Sequence, residues 1–202
     1  MSEQFFVVNL REYLDENEPV YIGEDKLYKL LSSFSCPLNH DVEYFLKNNA
    51  IEFTKKNQSV TYLVFSNEHL VGYFSLAIKP VSILASAISK TMTRKLERIS
   101  VLDENTGTYT ASAHLIAQLG KNFALPKEER IKGDILLNLT LNIISQAKYL
   151  LGGVLEFLEC DDECDDNEAL MNFYTRNGFR FFNTRVTLGE NSHKLNQLLK
   201  FI

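Results

Sequence analysis

Tyr174 lies in the segment Asn167–Phe179, NEALMNFYTRNGF, where a phenol, two phenylalanines and a glycine fall at helical spacing. Leu170 precedes Phe173 and Tyr174 by three and four residues, so the three share one helix face. Gly178 suits the left-handed cap that ends such a helix. A tyrosine with its ordinary pKa of about 10 keeps its proton at pH 7. Spacing alone favours the plainer reading, a packed aromatic stripe with a glycine cap. For a proton acceptor the candidates are Glu156 and His114. Strand alternation sets His114, Ile116 and Gln118 on one face, and Val154, Glu156 and Leu158 on one face of a later strand. A hydrogen-bonded histidine at a sheet edge and a solvated glutamate are the plainer readings of those two residues.

Anion binding has its own candidate. The stretch NFALPKEERIKGDILL, residues 122–137, leads into a helix that starts near Gly133. Amides at a helix N-terminus, with the helix dipole behind them, attract anions, and Arg130 and Lys132 add charge. Metal chemistry is not expected. The acidic run Asp161, Asp162, Glu163, Asp165 and Asp166 lacks the loop glycine and terminal glutamate of a calcium loop. Cys160 and Cys164 have no nearby histidine to complete a zinc site. The run reads instead as favourable charge at the start of the Asn167 helix. Lys90, Arg94, Lys95 and Arg98 form a basic helical stripe, read as a solvated face or as a contact for an acidic substrate or phosphate.

These residues need a frame. Phe5–Asn9 reads as a strand, Leu27–Phe34 as a short helix and Asp41 to about Lys55 as a longer one. Val60–Phe65 and Leu70–Ile78, split by the polar Ser66–His69, read as a hairpin. Ala85 to about Arg98 reads as helix, and Asp103–Gly107 as a turn. Ser112–Gly120 reads as a buried strand, Gly133 to about Leu150 as an amphipathic helix and Val154–Glu159 as a strand. A helix at Asn167–Asn177 and strands at Phe179–Val186 and Leu195–Ile202 complete the order. That order predicts an α/β (α+β) protein with one parallel crossover in its second half.

The 202 residues, 45% of them hydrophobic, suffice for a sizeable core, and one domain over 1–202 is the default. A net charge of −5 predicts no whole-protein attraction to nucleic acid. Three cysteines without a dense pattern, no secretory signal and no apolar run of about 20 residues predict a cytoplasmic protein without a membrane partner.

The stretch NFYTRNGFRFF resembles the aromatic–Tyr–x–x–x–Gly–Phe signature near the end of GNAT acetyltransferases, with Asn167 seven residues before Tyr174 as in that family. The resemblance implies acetyl-CoA as co-substrate and Tyr174 as the general acid for the coenzyme A thiolate, a group of comparable basicity. AHLIAQLGK, residues 113–121, resembles the family's fourth strand, which pairs with the pantetheine arm. Coenzyme contacts then fall on Gln118, Leu119 and Gly120, with oxyanion donors near the last two. The following loop stands where the family has its pyrophosphate loop, implying contacts at Arg130, Ile131, Lys132, Gly133 and Asp134, joined by Asn167 and Phe173 from the later helix. The family pattern is Gln/Arg-x-x-Gly-x-Gly/Ala. Counted from Arg130, Gly133 is the first glycine and Ile135 replaces the second. Counted back from Leu136-Leu137, Gly133 is the second glycine, Ile131 replaces the first and Glu128 the leading residue. The second count keeps the helix start. Either way one glycine is missing.

The fold so implied is a GNAT-like mixed, mostly antiparallel central sheet flanked by helices, with a splayed parallel strand pair. The implied reaction is direct attack of a primary amine on the thioester. The acceptor is a small-molecule or peptide amine, with Glu156 as base and a homodimer left open. A narrower resemblance runs through FSCPLNHDVEYFLKNNAIEF and TYLVFSNEHLVGYFSLA, which are similar to the front half of the GNAT toxins that acetylate aminoacyl-tRNA. That branch implies a tRNA partner, which the acidic balance disfavours. A non-catalytic acyl-CoA-binding module is the remaining alternative, suggested by the missing glycine.

Overall fold

The computed structural model describes residues 4–162, 167–187 and 192–202. Its strands are β1 Phe6–Asn9, β2 Val60–Ser66, β3 His69–Leu84, β4 Leu102–Asp103, β5 Thr108–Lys121, β6 Leu155–Asp161, β7 Arg180–Val186 and β8 Lys194–Phe201. Its α-helices are α1 Leu10–Leu14, α2 Glu24–Ser32, α3 His40–Tyr44, α4 Ala50–Lys55, α5 Lys90–Leu96, α6 Gly133–Leu151 and α7 Asn167–Arg176. The strands hydrogen-bond in the order β1-β2-β3-β5-β6-β8-β7, with β4 beside β5. Only β5 and β6 run parallel among the described strands, which is the mixed, mostly antiparallel sheet expected. The chain divides into two compact units.

The first unit comprises Met1–Ala77 and Ile116–Gln146. Here β2 and β3 close a two-residue hairpin, with Ser66 opposite His69 and both Asn67 and Glu68 at positive φ, 46° and 68°. That is the primed turn whose twist matches its strands. One core packs Leu27, Leu31, Phe34, Val42, Leu46 and Ile51 against Leu63, Leu70 and Tyr73. The Tyr73 hydroxyl donates to the Val42 carbonyl at 2.5 Å, and its ring meets Phe34 edge-on. Two glycines are required by close approach. A Cβ on Gly72 would sit 2.8 Å from the Gly120 carbonyl oxygen, and one on Gly120 would sit 2.5 Å from a Val42 methyl.

The single helix expected from Asp41 to Lys55 is two short helices joined by a π turn, Phe45–Asn49. Asn39 starts the run by accepting from the Val42 amide at 3.1 Å. Phe45 and Phe53 pack edge to face across the wide turn, with ring centroids 5.4 Å apart.

The second unit comprises Ile78–Leu115 and Ala147–Ile202. Its core gathers Val81, Ile83, Leu96, Tyr109, Ala111, Leu155, Phe157, Phe182 and Leu199. The helix expected over Ala85–Arg98 shortens to Lys90–Leu96, because the Ser89 hydroxyl caps it, accepting from the Met92 amide at 3.3 Å. A short 3-10 turn, Ala85–Ala87, precedes it. On β5, buried Tyr109, Ala111 and Ala113 alternate with exposed Thr110 and Ser112, and from Ala113 onward neither face is exposed. No helix among the described residues is long and apolar enough to cross a membrane.

Candidate active site

In the first unit the loop after β5 is held by Asn122, which is buried. Its Nδ2 donates to the Leu70 carbonyl at 2.8 Å, and its Oδ1 accepts from the Ser35 and Ala124 amides, both at 3.0 Å. Its own amide donates to the Val71 carbonyl at 2.9 Å, and the Phe123 amide to the Ser35 carbonyl at 2.7 Å. The sequence analysis missed Asn122. Its only signal was a polar amide directly after an apolar strand. Farther along, the Arg130 guanidinium donates to the Leu125 carbonyl at 2.8 Å and to the Phe123 carbonyl at 2.9 Å, and lies 5.1 Å from the Phe123 ring centroid. Arg130 therefore shapes the loop from within.

Ile131, which the count from Leu136-Leu137 sets opposite a glycine of the resembled pattern, is 3% exposed in a cluster with Val64, Val71, Phe74 and Leu136. The departure exchanges a bare backbone for a core anchor. The Lys132 carbonyl accepts from the Ile135 and Leu136 amides, both at 3.1 Å, so α6 begins at Gly133, the start expected from the apolar spacing. Lys132 and Asp134 are exposed beside that start. Gln118 and Leu119 are half-buried near the end of β5, and Leu119 joins the Ile131 cluster.

In the second unit Tyr174 is buried on α7. Its ring meets Phe173 at 5.1 Å and Phe179 at 5.8 Å between centroids, both edge-on. Gly178, at φ +91°, ends the helix as expected, and the Phe179 amide donates back to the Tyr174 carbonyl at 3.1 Å. Burial, with the Cys160 thiol a lesser cause, pushes the Tyr174 hydroxyl well above the ordinary tyrosine range. It holds its proton throughout the working pH range.

Glu156 is 1% exposed, not solvated. It faces Lys200 directly across β6 and β8, and the ammonium lies 3.3 Å from Oε2, without hydrogen-bond alignment. Burial raises the Glu156 carboxyl, while Lys200 and Lys148 pull it back. The Lys200 ammonium also lies 5.4 Å from the Phe179 ring centroid. His114 is buried and its Nε2–H donates to the Gly152 carbonyl at 3.1 Å, the plainer of its two readings.

Asn167 begins α7 and its Nδ2 donates to Asp162 Oδ1 at 3.0 Å. Of the acidic run, 163–166 lie outside the described residues, Cys164 among them. Glu159, also missed from sequence, is the hub of an ion cluster. The Arg185 Nη2 donates to it at 2.8 Å, the Arg185 Nε binds its other oxygen, the Gln197 amide donates at 2.7 Å, and the Lys79 ammonium lies 3.4 Å away. Burial alone would raise its pKa, but these donors and charges bring it down to about 2. Among the described residues no group of acidic, histidine or cysteine side chains is placed to hold a metal.

The second unit also carries a cleft of about 650 Å³ between α5 and the strands β7 and β8. Lys95, Arg180 and Lys200 supply its charge, and Met92, Phe181 and Phe201 its apolar lining. Phe181 is 49% exposed, and the Lys95 ammonium sits 5.1 Å from the Phe201 ring centroid. Lys90, Arg94 and Arg98 complete an exposed basic stripe on and just beyond α5.

No family model matches the sequence, and no curated protein matches it. Solved structures do match in fold. The chain is similar to AtaT complexed with acetyl-methionyl-tRNAfMet, with a TM-score of 0.62 and 16% identity over 96% of this chain and 94% of that one. It is similar to a tyrosine-to-phenylalanine variant of KacT, with a TM-score of 0.60 and 17% identity over 96% and 94%. A tyrosine-to-phenylalanine variant of the toxin AtaT, bound to acetyl-CoA and the C-terminus of the antitoxin AtaR, matches with a TM-score of 0.56 and 14% identity over 98% and 93%. At these identities the likeness is one of fold, the GNAT-like fold expected from the sequence.

Proposed function

We propose that this chain is an acetyl-CoA-dependent N-acetyltransferase whose acceptor is the α-amine of an aminoacyl-tRNA. The observation that carries the catalytic reading is Tyr174, a buried, protonated phenol held by a glycine-capped helix at the family's signature position. The similar AtaT structures bind acetyl-CoA and an acetylated methionyl-tRNA, which supports the co-substrate and favours the tRNA acceptor. The missing glycine favoured a non-catalytic module, but the buried Ile131 accounts for that substitution through packing.

The acceptor reading corrects the argument from net charge. The chain totals −5, yet the second unit gathers cations and exposed aromatic surface in one cleft. Cations that meet phosphates beside rings that stack on bases are what single-stranded nucleic acid requires.

In the reaction, a neutral amine nitrogen attacks the thioester carbonyl carbon. The C–N bond forms, the C–S bond breaks, the amine loses a proton and the sulfur gains one. A hydroxyl with a pKa above that of an ordinary tyrosine is a weaker acid than a thiol of pKa about 8.5. Tyr174 therefore acts chiefly as a hydrogen-bond donor to sulfur as the C–S bond stretches. Its proton moves in step with uptake of the one the amine releases. Amides at the start of α6, with Lys132 beside them, receive the coenzyme's phosphates. Glu156, tied to Lys200, accepts the amine proton only if that ion pair opens.

The test is acetyl transfer from acetyl-CoA to a panel of aminoacyl-tRNAs and free amines, read by mass spectrometry. Acetyl-aminoacyl-tRNA is the expected product. Transfer to free amines alone would overturn the acceptor, and no transfer at all would overturn the activity.

A further inference from the structure

A chain of side chains in the second unit ends on one buried, unmet oxygen. The Thr184 hydroxyl donates to Asn196 Oδ1 at 2.9 Å, and the Asn196 Nδ2 donates to Asp162 Oδ1 at 2.6 Å. The same Asp162 oxygen accepts from Asn167 Nδ2 at 3.0 Å. The Asp162 amide is itself fixed, donating to the Lys194 carbonyl at 2.9 Å.

The chemistry of the chain has a direction. An ionised carboxylate only accepts hydrogen bonds, so it can meet each asparagine only through its NH₂ end. Asp162 thereby forbids the amide flip of Asn167 and turns its oxygen the other way. That Oδ1 is buried and has no hydrogen-bond partner among the described residues. Buried polar atoms are nearly always paired, so an acceptor locked in this way is waiting for a donor. The coenzyme of the proposed reaction carries secondary amide N–H groups along its pantetheine arm, the donor class that this oxygen takes.

We propose that Asp162, backed by Asn196 and Thr184, is a positioning residue that locks the Asn167 amide so that its oxygen receives an amide N–H of the coenzyme's pantetheine arm. The inference rests on the acetyltransferase reading. Asp162 touches no substrate; it acts through Asn167, so the two residues form one functional unit.

A double-mutant cycle tests this. Acetyl-CoA binding is measured by calorimetry for the full chain, Asp162→Ala, Asn167→Ala and the double variant. Each single variant is expected to weaken binding by about two- to tenfold, the scale of one hydrogen bond to a neutral group. In the Asn167→Ala background, Asp162→Ala should add nothing. Adenosine 3′,5′-bisphosphate, which lacks the pantetheine arm, should bind all four proteins equally. Should Asp162→Ala not fold, Asp162→Asn preserves shape while removing the pure acceptor, and the same cycle is run with it. Equal losses in both backgrounds, or no loss in either, would overturn the positioning role while leaving the acetyltransferase reading intact. If the unaltered chain binds no acetyl-CoA, that reading falls, and this one with it.

Discussion

Asn122 and Arg130, in the loop before α6, bond to five backbone groups between them, through Leu70, Ser35, Ala124, Leu125 and Phe123. The polar groups of α7 behave differently. Asn167 keeps an unmet buried oxygen, and Tyr174 is a phenol whose burial makes ionisation costly. The contrast separates two ways of making a site. A loop that receives a ligand through its backbone needs its side chains to hold that backbone still. A helix that meets a ligand through its side chains must leave some of them unsatisfied until the ligand arrives. Loss of a side chain from the first should therefore appear as lost stability, and loss of one from the second as lost coenzyme binding or turnover.

Tyr174→Phe is expected to produce the largest effect. Turnover should fall about 10²–10⁴-fold, while the midpoint of urea unfolding and the acetyl-CoA affinity hardly change. The pH profile should show no falling alkaline limb from Tyr174 up to about pH 10, because its hydroxyl titrates above the ordinary tyrosine value. Lost stability with intact turnover would make Tyr174 a packing residue and erase the contrast.

Asn122→Ala should do the reverse. It strips three side-chain hydrogen bonds from a buried site. It should lower unfolding stability by about 2–4 kcal/mol in urea titrations, with kcat at saturating acetyl-CoA nearly unchanged. A collapse of kcat in folded protein would place Asn122 in the chemistry.

Glu159 supplies a comparison within the second unit, since its polar partners are all met. Its pKa falls from 4.5 to about 2 on folding. A depressed carboxylate contributes stability that is fully present above its unfolded value and lost as pH falls through its folded one. That contribution is about 3 kcal/mol, lost between about pH 5 and pH 2. Glu159→Gln should flatten this acid limb in denaturation measured against pH. An unchanged limb would assign acid sensitivity to other carboxylates.

The smallest effect is expected from Gly133→Glu, which sets a carboxylate at the helix start proposed for the phosphates. Acetyl-CoA binding should weaken about tenfold by calorimetry, with stability intact. Unchanged affinity would move the phosphate site elsewhere.

What was legible in the sequence was what neighbouring residues decide together. The α6 start at Gly133 followed from the helical spacing of Ile135, Leu136, Leu139, Ile143 and Ile144, and the α7 cap from Gly178, within one or two residues of the observed ends. The five-residue α1 was not legible, because so short a run displays no periodicity. Nor were partnerships set by strand register. Glu156 meets Lys200, and Glu159 meets Arg185 and Gln197, only because β6, β8 and β7 lie side by side. A solvated Glu156 was the natural expectation without that register. Nor was the inward role of Arg130 legible, because five residues of loop curl back so that its guanidinium reaches the Leu125 and Phe123 carbonyls.

The π turn at Phe45–Asn49 has a consequence for the lineage of this helix. Successive α-helical residues are rotated by about 100°. Forcing regular α geometry on the run without losing a residue would swing everything after the wide turn by that angle, and Ile51 and Thr54 would leave the side that Val42 and Leu46 share. The turn is thus equivalent to a one-residue insertion absorbed in place. A relative with an unbroken helix here would align only across a single-residue gap, and a gapless alignment would pair every side chain after Asn49 with the wrong counterpart.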